Sequence, residues 1–132
     1  MSFDLAAWHS ERALDASTAD AVYQAICASS PMPVDDVITP SPRMSRFLAA
    51  VGARYPDLDA LPEEQVDDSP WSSGFEYTDA HAIFNIRWPR AEQMLSEMRE
   101  LATAHGLVLY DPQEGTVYDP RQLARPWWRF WR

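Results

Sequence analysis

Between Ala80 and Tyr110 the sequence changes period twice, and this limits what the chain can fold into. Ala82, Phe84, Ile86 and Trp88 alternate with His81, Ile83, Asn85 and Arg87, the period of two of a strand with one face in a core. Pro89 then opens a segment in which Ala91, Met94, Leu95, Met98, Leu101 and Ala102 recur at helical spacing. His105-Gly106 closes it, with glycine suited to the left-handed position after a helix. The continuous apolar run GLVLY, residues 106–110, is expected of a buried central strand. Strand, helix and strand in succession call for helices packed on a sheet.

The flanking segments extend this pattern. Phe3 to Trp8 reads as a first strand, inside the sheet or on its edge. Ala19, Val22, Tyr23, Ile26 and Cys27 predict a helix face, with Asp15 or Ser17 as its N-cap. A second helix begins where Ser41 caps and Pro42 occupies the first turn; its stripe is Met44, Phe47, Leu48, Val51 and Tyr55, and Pro56 ends it. DPQEG, residues 111–115, turns the chain so that Thr116 to Tyr118 returns as a hairpin partner. The expected fold is α+β: one four-stranded mixed sheet with about three helices packed on one face. With 132 residues the chain suits a single core, assigned to residues 1–120, followed by an Arg/Trp-rich tail over 121–132.

Charge narrows the choice of partner. The formal net charge is −9, and all eleven basic residues are arginine. From Asp57 to Asp79 stand eight acids (Asp57, Asp59, Glu63, Glu64, Asp67, Asp68, Glu76 and Asp79) with no base among them, whereas Arg121, Arg125, Arg129 and Arg132 crowd the end. Without those four arginines the first 120 residues carry 20 acids against 7 bases. Phosphate-directed nucleic-acid binding draws on clustered Lys and Arg, so a basic protein is the better counterpart. The acidic segment contains DSPWSSG, a loop by its composition and a candidate binding element by its length. Trp71 at its middle is expected either to pin the loop to the core or to serve as the aromatic anchor for a partner.

Catalytic signatures do not emerge. The single cysteine, Cys27, excludes an internal disulfide and a multi-cysteine zinc site, and its place on a helix stripe predicts a buried thiol. His9, His81 and His105 stand at no motif spacing. Adjacent carboxylates such as Asp35-Asp36 have no calcium-loop spacing. No catalytic residue, metal ligand or cofactor is assigned. An enzyme acting on a small molecule, with His81 and Asp79 as the working pair, is the alternative in that class. The start, Met1-Ser2-Phe3-Asp4, lacks the basic n-region of a secretory signal, and no apolar run reaches membrane-spanning length, so a cytoplasmic address without integral membrane association is expected.

The chain finishes on PWWRFWR. Trp127, Trp128, Phe130 and Trp131 are expected to dock on the domain, each ring burying roughly 150 to 250 Å². A partner-gripping adaptor hook and attachment to a membrane surface are the alternatives; the acidic body weakens the last, because anionic lipid would repel it.

HGLVLYDPQEGTVYDP, the opening MSFDLAAW, ARYPDL and DSPWSSG together resemble a family of small bacterial proteins with an MSYDL-type start, a DSPW-type loop and an HGLVCYDPQ-type end. The likeness covers about residues 1–118; Leu109 stands where that pattern often has cysteine, and the Arg/Trp tail departs from it. Such proteins look like immunity proteins of polymorphic toxin systems, antitoxins that bind and block one cognate toxin domain. The resemblance implies a toxin partner, and the acidic surface suits a basic, nucleic-acid-targeting one, held by the acids of 57–79.

Overall fold

The computed structural model describes residues 2–28 and 37–123. Five strands, β1 (Ser2–Trp8), β2 (Glu76–Tyr77), β3 (His81–Arg87), β4 (Val108–Asp111) and β5 (Thr116–Tyr118), form one sheet in the order β2-β3-β1-β4-β5. Four helices accompany it: α1 (Ala16–Cys27), α2 (Pro42–Arg54), α3 (Ala91–Ala104) and the short α4 (Pro120–Leu123). The α+β class holds. The tail residues Trp127, Trp128, Phe130 and Trp131, and the pair Asp35-Asp36, lie outside the described residues.

Three features of the expected architecture are corrected. The sheet has five strands rather than four, because Glu76–Tyr77 adds an edge strand within the supposed loop. Every pairing is antiparallel, so the sheet is not mixed. The crossover β3-α3-β4 does make β3 and β4 run in one direction, but β1 lies between them and pairs antiparallel with both. Helices also cover both faces. Phe3, Leu5, Phe84, Ile86 and Leu109 pack with α2 and α3, whereas Trp8, Ile83, Val108 and Tyr110 pack with Ala19 and Val22 of α1.

β1 owes its central place to its composition. Leu5, Ala6, Ala7 and Trp8 are all buried, a run with no solvent face that only a strand covered on both sides accommodates. The helix ends follow local chemistry. Asp15 caps α1 by accepting from the Thr18 amide at 2.7 Å, and Ser41 caps α2 by accepting from Arg43 N–H at 3.1 Å, with Pro42 in the first turn. Gly106 has φ 69°, the left-handed conformation expected after α3. Two side chains depart from expectation. Cys27 is exposed, because the buried face of α1 runs through Ala19, Val22 and Ala25. Trp88 is 46% exposed: the chain leaves β3 at Arg87 and enters a 3-10 turn, turning the indole outward against the edge of Phe3. No helix among the described residues is long and apolar enough to cross a membrane.

Candidate functional site

The acidic segment is folded rather than a plain loop. Leu58–Ala60 and Glu63–Asp68 form 3-10 turns, Trp71 bridges to Ile86, and Glu76–Tyr77 pairs with β3. Its clamp is Arg87. The guanidinium donates from Nε to the Trp71 carbonyl, from Nη1 to that of Asp67 and from Nη2 to that of Val66, each at 3.1 Å. These three acceptors include the carbonyls that end the 3-10 turn, so a single β3 side chain satisfies them and fixes the segment to the sheet.

Trp71 is fully buried, and this settles its geometry in favour of the core. Its ring lies against Phe75, Phe84 and Tyr55, and its indole N–H donates to the Tyr55 carbonyl at 3.0 Å. It cannot present a surface to a partner in this arrangement; it holds the platform on which the acids stand.

The eight carboxylates divide by role. Asp57 is half-buried and accepts from the amides of Asp59 and Phe75, both at 3.2 Å, so it organises the segment. Asp59 lies against Gly74, where an added Cβ would collide with its carboxylate. Glu63, Glu64, Asp67 and Asp68 face solvent on the second 3-10 turn, and Glu76 and Asp79 are exposed at the sheet edge. None of the eight forms an ion pair among the described residues, where the ion pairs are Arg54–Glu97 and Arg121–Asp119. Among the described residues, therefore, no cationic side chain stands within ion-pair distance of them.

Beside these acids, two open depressions meet along α2. One, of about 650 Å³, runs from the Pro40-Ser41-Pro42 corner to Thr78 and Asp79. The other, of about 450 Å³, runs past Ala49 and Gly52 to Pro56 and Asp57. Ser45, Leu48 and Tyr77 line both, making one groove between α2 and the edge strand β2. Tyr77 is 61% exposed. Among the described residues no basic side chain lines either half, and Asp79 and Asp57 stand at its two ends. Sequence reasoning missed this groove. The signal was present in the pattern Ser45, Leu48, Ala49 and Gly52, one side of α2 adjacent to its buried stripe.

The histidines have distinct surroundings. His9 Nδ1 lies 2.9 Å from Thr39 Oγ1 and His105 Nδ1 lies 2.8 Å from the Leu101 carbonyl. His81 is half-buried, and its enclosed Nδ1 has no hydrogen-bond partner among the described residues; burial pushes its pKa below the usual histidine value, and nearby Asp79 offsets only part of that. Asp79 lines the groove and His81 does not, so the structure does not bring that pair together over a cavity. Among the described residues no cluster of His, Cys, Asp and Glu gathers as a metal site.

No family model matches the chain, and neither the curated proteins nor the solved structures contain a match to it.

Proposed function

We propose that the protein is an immunity protein, an antitoxin that binds and blocks a cognate basic toxin domain acting on nucleic acid. One observation carries the reading: six solvent-facing carboxylates, Glu63, Glu64, Asp67, Asp68, Glu76 and Asp79, lie without ion pairs among the described residues, on a segment that Trp71 and Arg87 tie to the core. A preorganised field of one sign accelerates encounter with a partner of the other sign and disfavours wrong partners, while the rigid backbone limits the ordering cost of binding. The sequence resemblance to immunity proteins points to the same class.

The test is to search the genes beside this one for a large protein that ends in a basic C-terminal domain, and to express that domain in a bacterial host with and without this chain; the absence of any such gene also counts against the reading. Growth arrest by the toxin alone and recovery with the chain support the reading. Arrest that the chain leaves unchanged contradicts it.

A further inference from the structure

Among the described residues no further strand pairs with the outer edge of β2, and this edge has a specific hydrogen-bonding state. The register places Thr78 opposite His81, continuing Tyr77 opposite Ala82 and Glu76 opposite Ile83, and Thr78 N–H donates to the His81 carbonyl at 2.8 Å. Hydrogen-bonded and non-hydrogen-bonded pairs alternate in an antiparallel ladder, so Tyr77–Ala82 is a non-bonded pair. The N–H and C=O of Tyr77 therefore point away from β3, toward the open edge. On either side the outward groups are taken: the Phe75 amide by Asp57, and the Asp79 carbonyl by the Ser41 amide at 3.0 Å. Tyr77 offers the donor and acceptor pair that an incoming strand needs.

The groove supplies the rest. It follows α2, whose thirteen residues span about 20 Å, a length that accommodates about six residues of extended chain. Side chains alternate across a strand, and Tyr77 sits opposite Ala82 on the α2 face while Glu76 sits opposite Ile83 on the other face. A strand laid beside Tyr77 would point alternate side chains at Leu48, Gly52 and Phe75, and the intervening ones toward the side bearing Glu76.

We propose that the groove between α2 and β2 binds an extended basic segment of the partner protein, which adds to the sheet at Tyr77. The segment alternates apolar residues, directed at α2, with arginine or lysine, directed at the Glu76 side, and its ends lie near the carboxylates of Asp79 and Asp57. Main-chain bonds give such a complex affinity and the alternating side chains give it selectivity. The proposal rests on the reading of the protein as a binder of a basic partner.

Two substitutions isolate the groove without touching the core. A Cβ at Gly52 meets nothing within 4 Å, so Gly52→Leu fills the groove from an open helix position. Tyr77→Pro removes the outward N–H at an edge where no ladder bond is lost. The experiment is selection of a phage-displayed library of random short peptides on the full chain, followed by anisotropy titration of the enriched peptides. The expected result is basic sequences with alternating apolar residues, each weakened about tenfold or more, ~1.4 kcal/mol, by Gly52→Leu and by Tyr77→Pro, with neither variant melting below the parent chain. No enrichment, or enriched peptides that bind both variants as well as the parent chain, would overturn it. Enrichment of sequences reproducing the chain's own residues 126–132 would also overturn it, by assigning the groove to this chain. Peptide binding in the groove by a chain that gives no protection against the toxin would sink the antitoxin reading and leave the groove standing.

Discussion

Arg87 reaches from the end of β3 to the carbonyl oxygen of Asp67 at 3.1 Å, joining the central sheet to the most acidic stretch of the chain. The link is positive charge spent on backbone oxygens rather than on carboxylates, and among the described residues the neighbouring acids form no ion pair.

Arg87→Lys is expected to loosen this segment, because an ammonium cannot fan out to three carbonyls in the plane of a guanidinium. The loss should be about 2 kcal/mol in urea unfolding, with faster amide exchange concentrated over residues 63–71. Uniform exchange across the chain would contradict the clamp.

Trp71→Phe should be milder than Trp71→Ala but still costly. The phenyl ring leaves the Tyr55 carbonyl without its indole donor, about 1 to 3 kcal/mol, whereas alanine also opens a cavity among Phe75 and Phe84, about 3 to 5 kcal/mol. Affinity for a basic partner should fall in both only as far as the segment unfolds, read by binding at temperatures where each variant remains native. A large affinity loss in a fully folded Trp71→Phe variant would place the indole at the interface instead.

Two glycines should respond oppositely to alanine. Gly52→Ala enters open space within α2 and gains about 1 kcal/mol from helix propensity. Gly106→Ala loses roughly 1 to 2 kcal/mol, since Gly106 has φ 69° and a Cβ there would run into Arg43 Nη1. Melting temperatures of the two variants check both signs.

Burial lowers the His81 pKa below the usual 6.5. The unfolded chain therefore takes up the proton first as pH falls. Stability attributable to this site is complete above 6.5 and declines from there toward the lower folded-state value. His81→Leu should remove that part of the pH dependence, so the stability difference between variant and parent should shift in the variant's favour between pH 7.5 and pH 5.5. A difference independent of pH would contradict the burial of a neutral imidazole.

Much of this fold was legible in the sequence where the signal is local. The stripe of α3, the caps at Asp15 and Ser41, the turn at Gly106 and the hairpin after Asp111 depend on neighbours in the chain, and each forms as its residues require. What depends on long-range partners was not. β2 has two residues and both are exposed, so neither length nor alternation could betray it; it exists because β3 offers a free edge. The two-sided covering of the sheet was hidden in the same way, since Ala6 and Ala7 look alike in sequence but face different cores. Within the candidate site, the acids were legible by composition, whereas the burial of Trp71 and the groove beside Tyr77 required the tertiary structure.

The central claim, that the acids of 57–79 capture a basic partner by charge, is tested most directly by the affinity of the chain for the proposed basic partner domain across a range of salt concentrations. The parent chain should bind with an association rate that falls steeply as salt rises, and Asp67→Lys with Asp68→Lys should slow association and flatten that dependence without altering the melting temperature. Affinity and salt dependence left unchanged by the double reversal would contradict the account.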